Sequence, residues 1–181
     1  MVRVLSASVF ALLLALPALA QDDFPRFQTS LGYGSLSFPT LVPSGSGVGW
    51  GAAQRHSGFV NQTGINLTKT LGLDNYMGIY GLGQGVTMIT DVFGGKATWR
   101  GARVAPYGVA GIGVGYLSAQ GYQLGSSFAT RIGAGFDVPF RDSLGWRFEL
   151  SRFGFHIPTS AGSGWTNSTN FSAGIVISLP Q

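Results

Sequence analysis

The sequence predicts an all-β protein: a closed, antiparallel transmembrane β-barrel, best fitted by eight strands in an up-and-down meander. Three observations predict it. Apolar residues alternate with small or polar ones at a period of two through most of the chain beyond residue 24, and no stretch carries a helical period. Charged residues are only 10% of the chain, too few to coat a soluble barrel, whose surface carries about 25–35% of them. Glycine contributes 29 of 181 residues and aromatics reach 13%, which suits tightly curved strands with an aromatic outer surface.

Residues 1–20 read as a cleavable export signal. Arg3 supplies the positive charge, and Val4 to Leu16 forms an apolar run too short for a spanning helix of about 20 residues. Pro17 ends that run before the small-x-small tripeptide Ala18-Leu19-Ala20. Residues 21–181 are then the barrel domain. The chain has no cysteine, which excludes a lipid-anchored lipoprotein and a disulfide scaffold. The net charge of +4 is spread thinly, with none of the clustered Lys and Arg that nucleic acid requires.

Strands are expected at about 27–38, 57–70, 73–83, 86–99, 103–117, 127–140, 145–156 and 168–179. At the front, Phe27, Leu31 and Tyr33 oppose Gln28, Ser30, Gly32 and Gly34. In the second strand Phe59, Ile65 and Leu67 share a parity that Asn61 and Thr63 join. The next three alternate weakly, because glycine occupies both faces. Phe128, Ile132, Phe136 and Phe140 oppose Arg131, Gly133, Gly135 and Asp137. Trp146, Phe148 and Leu150 alternate with Arg147, Glu149 and Ser151. Phe171, Ala173, Ile175, Ile177 and Leu179 close the series. Short turns near 71–73, 100–102 and 141–144, against longer Gly/Ser/Pro-rich loops at 39–56, 118–126 and 157–167, fit an outer-membrane barrel; the link near 83–86 is short.

Charge assigns the faces. An Arg facing lipid at mid-depth costs about 2–4 kcal/mol, so the few strand charges belong inside, paired by sign. Arg131, Asp137, Arg147 and Glu149 share one parity on adjacent strands and are expected to contribute to an interior salt-bridge network. Eight strands leave room only for side chains, so a filled polar interior is expected in place of an open pore. Trp99, Tyr107, Phe140 and Trp146 are candidates for an interfacial girdle. Lys69 and Arg152 fall on the apolar parity. Lys69 can snorkel from a strand end, whereas Arg152 implies either a bulge near Gly154 or an interfacial position.

The segments Ala105-Pro106-Tyr107-Gly108-Val109-Ala110-Gly111-Ile112-Gly113, Ile132-Gly133-Ala134-Gly135-Phe136-Asp137 and Arg147-Phe148-Glu149-Leu150 resemble strands of the small outer-membrane β-barrel domain family, the OmpA/OmpX-like proteins. The resemblance covers essentially the whole of 21–181. It implies an eight-stranded barrel, delivered by the outer-membrane assembly machinery, with structural, adhesive or unassigned roles. One departure is the end of the chain, Leu179-Pro180-Gln181, where that family usually carries an aromatic residue.

Other chemistry finds little support. Gly111-Ile112-Gly113-Val114-Gly115 and Gly81-Leu82-Gly83-Gln84-Gly85 lack the following helix that a phosphate cradle needs. His56 and His156, expected in or beside loops, are too few for a metal site. A lipid-modifying enzyme would use His156 with Thr159 or Ser160, or His56 with Ser57, but no acid is spaced to orient either histidine. Trp50 and Trp165 are loop aromatics that either contact a partner or cap the barrel mouth. The expectation is a non-enzymatic structural or surface-interaction barrel without cofactor, embedded in outer-membrane lipid. The alternatives are a barrel-embedded lipid-modifying enzyme and a soluble periplasmic barrel binding a small apolar ligand.

Overall fold

The structure, a computed structural model, describes residues 24–44, 47–83, 86–101, 103–119, 122–159 and 162–179. The expected signal segment 1–20 lies outside the described residues. Eight strands follow in chain order: β1 (Phe27–Ser44), β2 (Gly47–Asn66), β3 (Leu71–Gly83), β4 (Val86–Thr98), β5 (Ala105–Ala119), β6 (Tyr122–Arg141), β7 (Leu144–Thr159) and β8 (Gly162–Leu179). Each pairs antiparallel with its sequence neighbours, and β8 pairs back onto β1 to close the barrel. Closure leaves no strand edge, the condition for crossing hydrocarbon with every backbone group paired.

The register fixes the barrel's geometry. From Phe27 the pairing line runs through Ile65, Leu73, Gly95, Ala110, Ile132, Arg152 and Thr169 and re-enters β1 at Ser37. It has climbed from residue 27 to residue 37, a stagger of ten. With a rise of about 3.3 Å per residue and strands about 4.8 Å apart, that stagger over eight strands tilts them by about 40°. Each residue then advances about 2.5 Å along the barrel axis, and each strand step raises the pairing line by about 1.25 residues.

One end of the barrel, the near end, carries the start of β1, the end of β8 and the turns at 67–70, 99–104 and 142–143. The opposite, far end carries the four hairpin tips. Most of the segments expected as long loops are strand instead: β1 and β2 continue to Ser44 and Gly47, β5 and β6 to Ala119 and Tyr122, β7 and β8 to Thr159 and Gly162. Gly, Ser and Pro weaken the alternation there without preventing pairing, and a hairpin arm satisfies its backbone through its neighbour whatever its side chains. Where the β5–β6 register slips, Leu117 opposes Gly125 and Ser118 opposes Gln123. Gly125 sits there at φ 102, a left-handed conformation that glycine adopts without strain.

The outer wall is apolar. Leu31, Phe59, Phe93, Ile112, Ile132, Phe136, Leu150, Phe171 and Ile175 are all exposed on it. At the near end Trp99, Phe140 and Trp146 are exposed, with Phe140 and Trp146 in ring contact at 5.8 Å. Tyr107, the fourth expected girdle residue, is buried inside, because its parity on β5 points it into the lumen. Arg152 is exposed, and β7 pairs without a register shift from Trp146 to His156, so no bulge turns it inward.

Candidate functional site

The interior is the part of the molecule that concentrates chemistry, and it has two layers. The near half is ionic. Arg131 on β6 donates from Nη1 to Asp74 Oδ2 at 2.8 Å and from Nη2 to both oxygens of Glu149 at 2.6 and 2.7 Å. Its guanidinium lies over the Tyr76 ring, 4.3 Å from the centroid. Glu149 accepts further hydrogen bonds from Gln62 Nε2 at 2.6 Å, from the Tyr107 hydroxyl at 3.0 Å and from the Ser151 hydroxyl. Arg147 grips Asp137 with two parallel bonds, Nε to Oδ1 and Nη2 to Oδ2, both 2.7 Å. Its Nη1 donates to Gln62 Oε1 at 3.3 Å and to Ser30 at 3.4 Å. The Lys96 ammonium lies 4.0 Å from Asp137 Oδ2, donates to Gln28 Oε1 at 3.4 Å and caps the Tyr107 ring at 4.3 Å.

The four residues singled out from the sequence thus meet in one network. The structure adds Asp74, Lys96, Gln62 and Tyr107 to it. Its ionic groups are Lys96, Arg131 and Arg147 against Asp74, Asp137 and Glu149, all buried, so the signs balance. One carboxylate is held by the bidentate Arg147 and two are bridged by Arg131, an arrangement positioned to lock strands together. The glycines on this face make the room. A Cβ on Gly135 would stand 2.6 Å from the Tyr107 hydroxyl oxygen and 2.4 Å from the Phe148 carbonyl oxygen.

The far half is apolar, a departure from the filled polar interior expected. Leu36, Phe38, Val60, Tyr80, Met88, Phe153 and Phe155 form a buried cluster there. Phe153 and Phe155 stack at 5.8 Å, and Phe38 meets Phe155 edge-on at 5.6 Å. The two tyrosine hydroxyls of Tyr76 and Tyr80 bond each other. Tyr80 donates to Asn170 Oδ1 at 2.9 Å, and Asn170 Nδ2 donates to the Tyr76 oxygen at 3.0 Å. Side chains of two kinds therefore fill the lumen, ionic in the near half and aromatic in the far half.

Both histidines lie in strands: His56 where β2 extends past its expected start, and His156 within β7, which runs on to Thr159. His56 is buried in the lumen, its Nε2 donating to the Phe38 carbonyl at 3.2 Å. Ser57 has the opposite parity and bonds Tyr33 on the outside at 2.7 Å, so His56 and Ser57 cannot act together. His156 packs against Trp165, itself 56% exposed on the outer wall, and Trp165 also meets Phe128. Trp165 thus decorates the outside of a hairpin and does not cap the mouth. Ser160 and the side chains of Trp50 and Thr159 lie outside the described residues. Among the described residues, no group of three or more His, Asp and Glu is placed to hold a metal ion.

No family model and no curated sequence matches the chain. Solved structures do. The crystal structure of Neisserial surface protein A superposes with a TM-score of 0.64 at 11% identity, over 87% of this chain and 100% of that one. The outer-membrane protein OprG of Pseudomonas aeruginosa gives 0.54 at 13% identity, over 87% and 97%. The N-terminal β-barrel domain of OprF from the same organism gives 0.53 at 16% identity, over 86% and 100%. At such identities the likeness is one of fold, and with the closed register and the apolar wall it makes this chain a small, eight-stranded transmembrane β-barrel of the outer-membrane type.

Proposed function

We propose that the chain is an integral outer-membrane protein whose barrel serves as a sealed anchor, with a structural or surface-interaction role carried by its far-end hairpins and no catalytic activity. The observation that carries this reading is the lumen filled by two layers of side chains. An ionic layer and an aromatic layer fill the bore in series, which leaves the outside of the molecule as the place for function. The hairpins support it. A membrane-crossing strand needs about 9–11 residues, whereas β1, β2, β6 and β8 have 18, 20, 20 and 18. Only the β3–β4 hairpin, 13 residues a side, is close to the span alone. The surplus carries exposed polar residues such as Gln54, Arg55, Ser57 and Asn167, suited to water or to a partner. Lipid surrounds the wall, and the assembly machinery of the outer membrane inserts it after removal of residues 1–20.

The test combines fractionation with electrophysiology. The protein is expected in the outer-membrane fraction, to migrate faster on a denaturing gel before boiling than after, and to give no stepwise conductance in planar bilayers. Recovery as a soluble protein without a heat shift would overturn the location. Reproducible conductance steps would overturn the sealed lumen.

A further inference from the structure

The apolar belt carries two charges that the interior network does not use. Asp91 on β4 and Arg152 on β7 are both exposed on the outer wall. Among the described residues, neither belongs to an ion pair. Asp91 accepts a hydrogen bond from Asn75 Nδ2 at 2.7 Å. A charge turned toward hydrocarbon is costly, and its partner is the first thing to look for.

The register puts the two at one depth. Asp91 pairs with Val114, Val114 with Phe128 and Phe128 with His156, four residues farther along β7 than Arg152. Three strand steps of a ten-residue stagger over eight strands raise that line by about four residues, which cancels the offset. Asp91 and Arg152 thus lie level, roughly 19 Å above Phe27, on faces about 135° apart. Within one barrel they cannot meet. Copies sharing a membrane differ by rotation about its normal, which preserves depth, so the Asp91 of one copy is level with the Arg152 of another.

Shape repeats the match. Below Asp91 the wall is hollow, lined by Leu71, Gly95, Ala97, Gly108, Ala110 and Ile132, and a Cβ at Gly95 would meet nothing. Below Arg152 the wall bulges, with Phe148 in ring contact with Phe136 at 5.2 Å and Trp146 exposed beneath. Gly95 pairs through Ala110 and Ile132 with Arg152, four residues from Phe148, so hollow and bulge are also level by the same rule. Small residues permit close approach of two membrane-embedded surfaces. We infer that the β4–β5 wall of one copy receives the β7 wall of a second copy, head to tail, with Asp91 meeting Arg152 and the Phe148 bulge seated over the Gly95–Gly108 hollow. Because the two faces differ, the contact propagates beyond two copies.

Oxidative crosslinking in native membranes tests this. The chain has no cysteine, and Phe93 and Leu150, both exposed, are level by the same register. The double variant Phe93→Cys/Leu150→Cys is expected to give a ladder of dimer, trimer and higher species. Each single variant should give none. Adding Asp91→Asn should reduce the ladder about tenfold. Asp91→Arg should abolish it, and Asp91→Arg with Arg152→Asp should restore it. Heat-modifiable migration confirms that each variant has folded. A monomer-only pattern, with Arg152 left to lipid headgroups, would overturn the inference. So would crosslinking by the Phe93→Cys single variant, which marks a two-fold contact, or a ladder that survives charge removal.

Discussion

Arg131 and Glu149 offer the sharpest test of what holds the near half of the lumen together. Replacing Glu149 with Leu removes both acceptors of Arg131 Nη2 and the acceptor for Gln62, Tyr107 and Ser151. Arg131 keeps only Asp74 as a charge partner. Replacing Arg131 with Met leaves Asp74 and Glu149 without the cation between them. Breaking a buried ion pair from one side costs about 3–5 kcal/mol, and both single variants are expected in that range. The double variant behaves differently. It leaves Lys96 and Arg147 against Asp74 and Asp137, still balanced, so its cost should fall short of the sum by about 2–3 kcal/mol. Urea titration of the protein folded in zwitterionic vesicles, followed by tryptophan fluorescence and by migration of unboiled samples, measures all three. Single costs below about 1 kcal/mol, or strict additivity, would refute the network as a cooperative stabilising unit.

The same titration checks four further expectations. Tyr107→Phe removes one hydrogen bond to Glu149 but keeps the ring beneath Lys96, so it should cost only about 1–2 kcal/mol. Gly135→Val drives a branched side chain into Tyr107 and the Phe148 carbonyl, and should yield protein that never acquires the fast-migrating form. Ile132→Arg places a cation on the lipid-facing wall, and a loss of about 2–4 kcal/mol is expected; no loss would mean that this wall is not in lipid. Phe153→Ala opens a cavity in the aromatic layer at about 3–5 kcal/mol, while bilayer conductance stays absent because the ionic layer still closes the bore.

Particular residues show where sequence reading reaches and where it stops. Eight strands, their order and the apolar outer wall follow from alternation and from the scarcity of charge. Arg131, Asp137, Arg147 and Glu149 share a parity that any reader can see, but who meets whom depends on register, which a period-two pattern leaves open. Lys96 and Asp74 have no legible parity because glycine sits on both faces of β3 and β4: Gly81 and Gly95 outward, Gly72 and Gly78 inward. The aromatic layer had a usable signal. Phe153 and Phe155 carry the parity of Arg147 and Glu149, so they continue the inward face. Leu36 and Phe38 stand likewise in line with Gln28 and Ser30. Large apolar residues on the polar parity, beyond the length needed to cross the membrane, mark a lumen that changes character along its axis. Tyr107 shows the opposite error, where an aromatic at a strand end suggested a girdle although its parity turned it inward.

The ten-residue stagger ties these layers into one design. It brings Asp74 of β3, Arg131 of β6 and Glu149 of β7 within bonding distance although they start from different strands. It also lets Tyr80 of β3 reach Asn170 of β8 across the bore. On the outside the same stagger aligns Asp91 with Arg152 and the Gly95 hollow with the Phe148 bulge. A slip of one pairing by a single residue would exchange the faces of a strand, exposing a carboxylate or guanidinium to lipid and burying a phenylalanine in the ionic layer. Each interior ion pair therefore acts as a register lock as well as a bond, since its partners face each other in only one alignment of strands. The balanced network accordingly lies toward the near end, where β2–β3, β4–β5 and β6–β7 are joined, and the permissive, non-directional aromatic packing lies toward the hairpin tips. Directional contacts sit where register must be set, and apolar ones where a bore already in register has only to be filled.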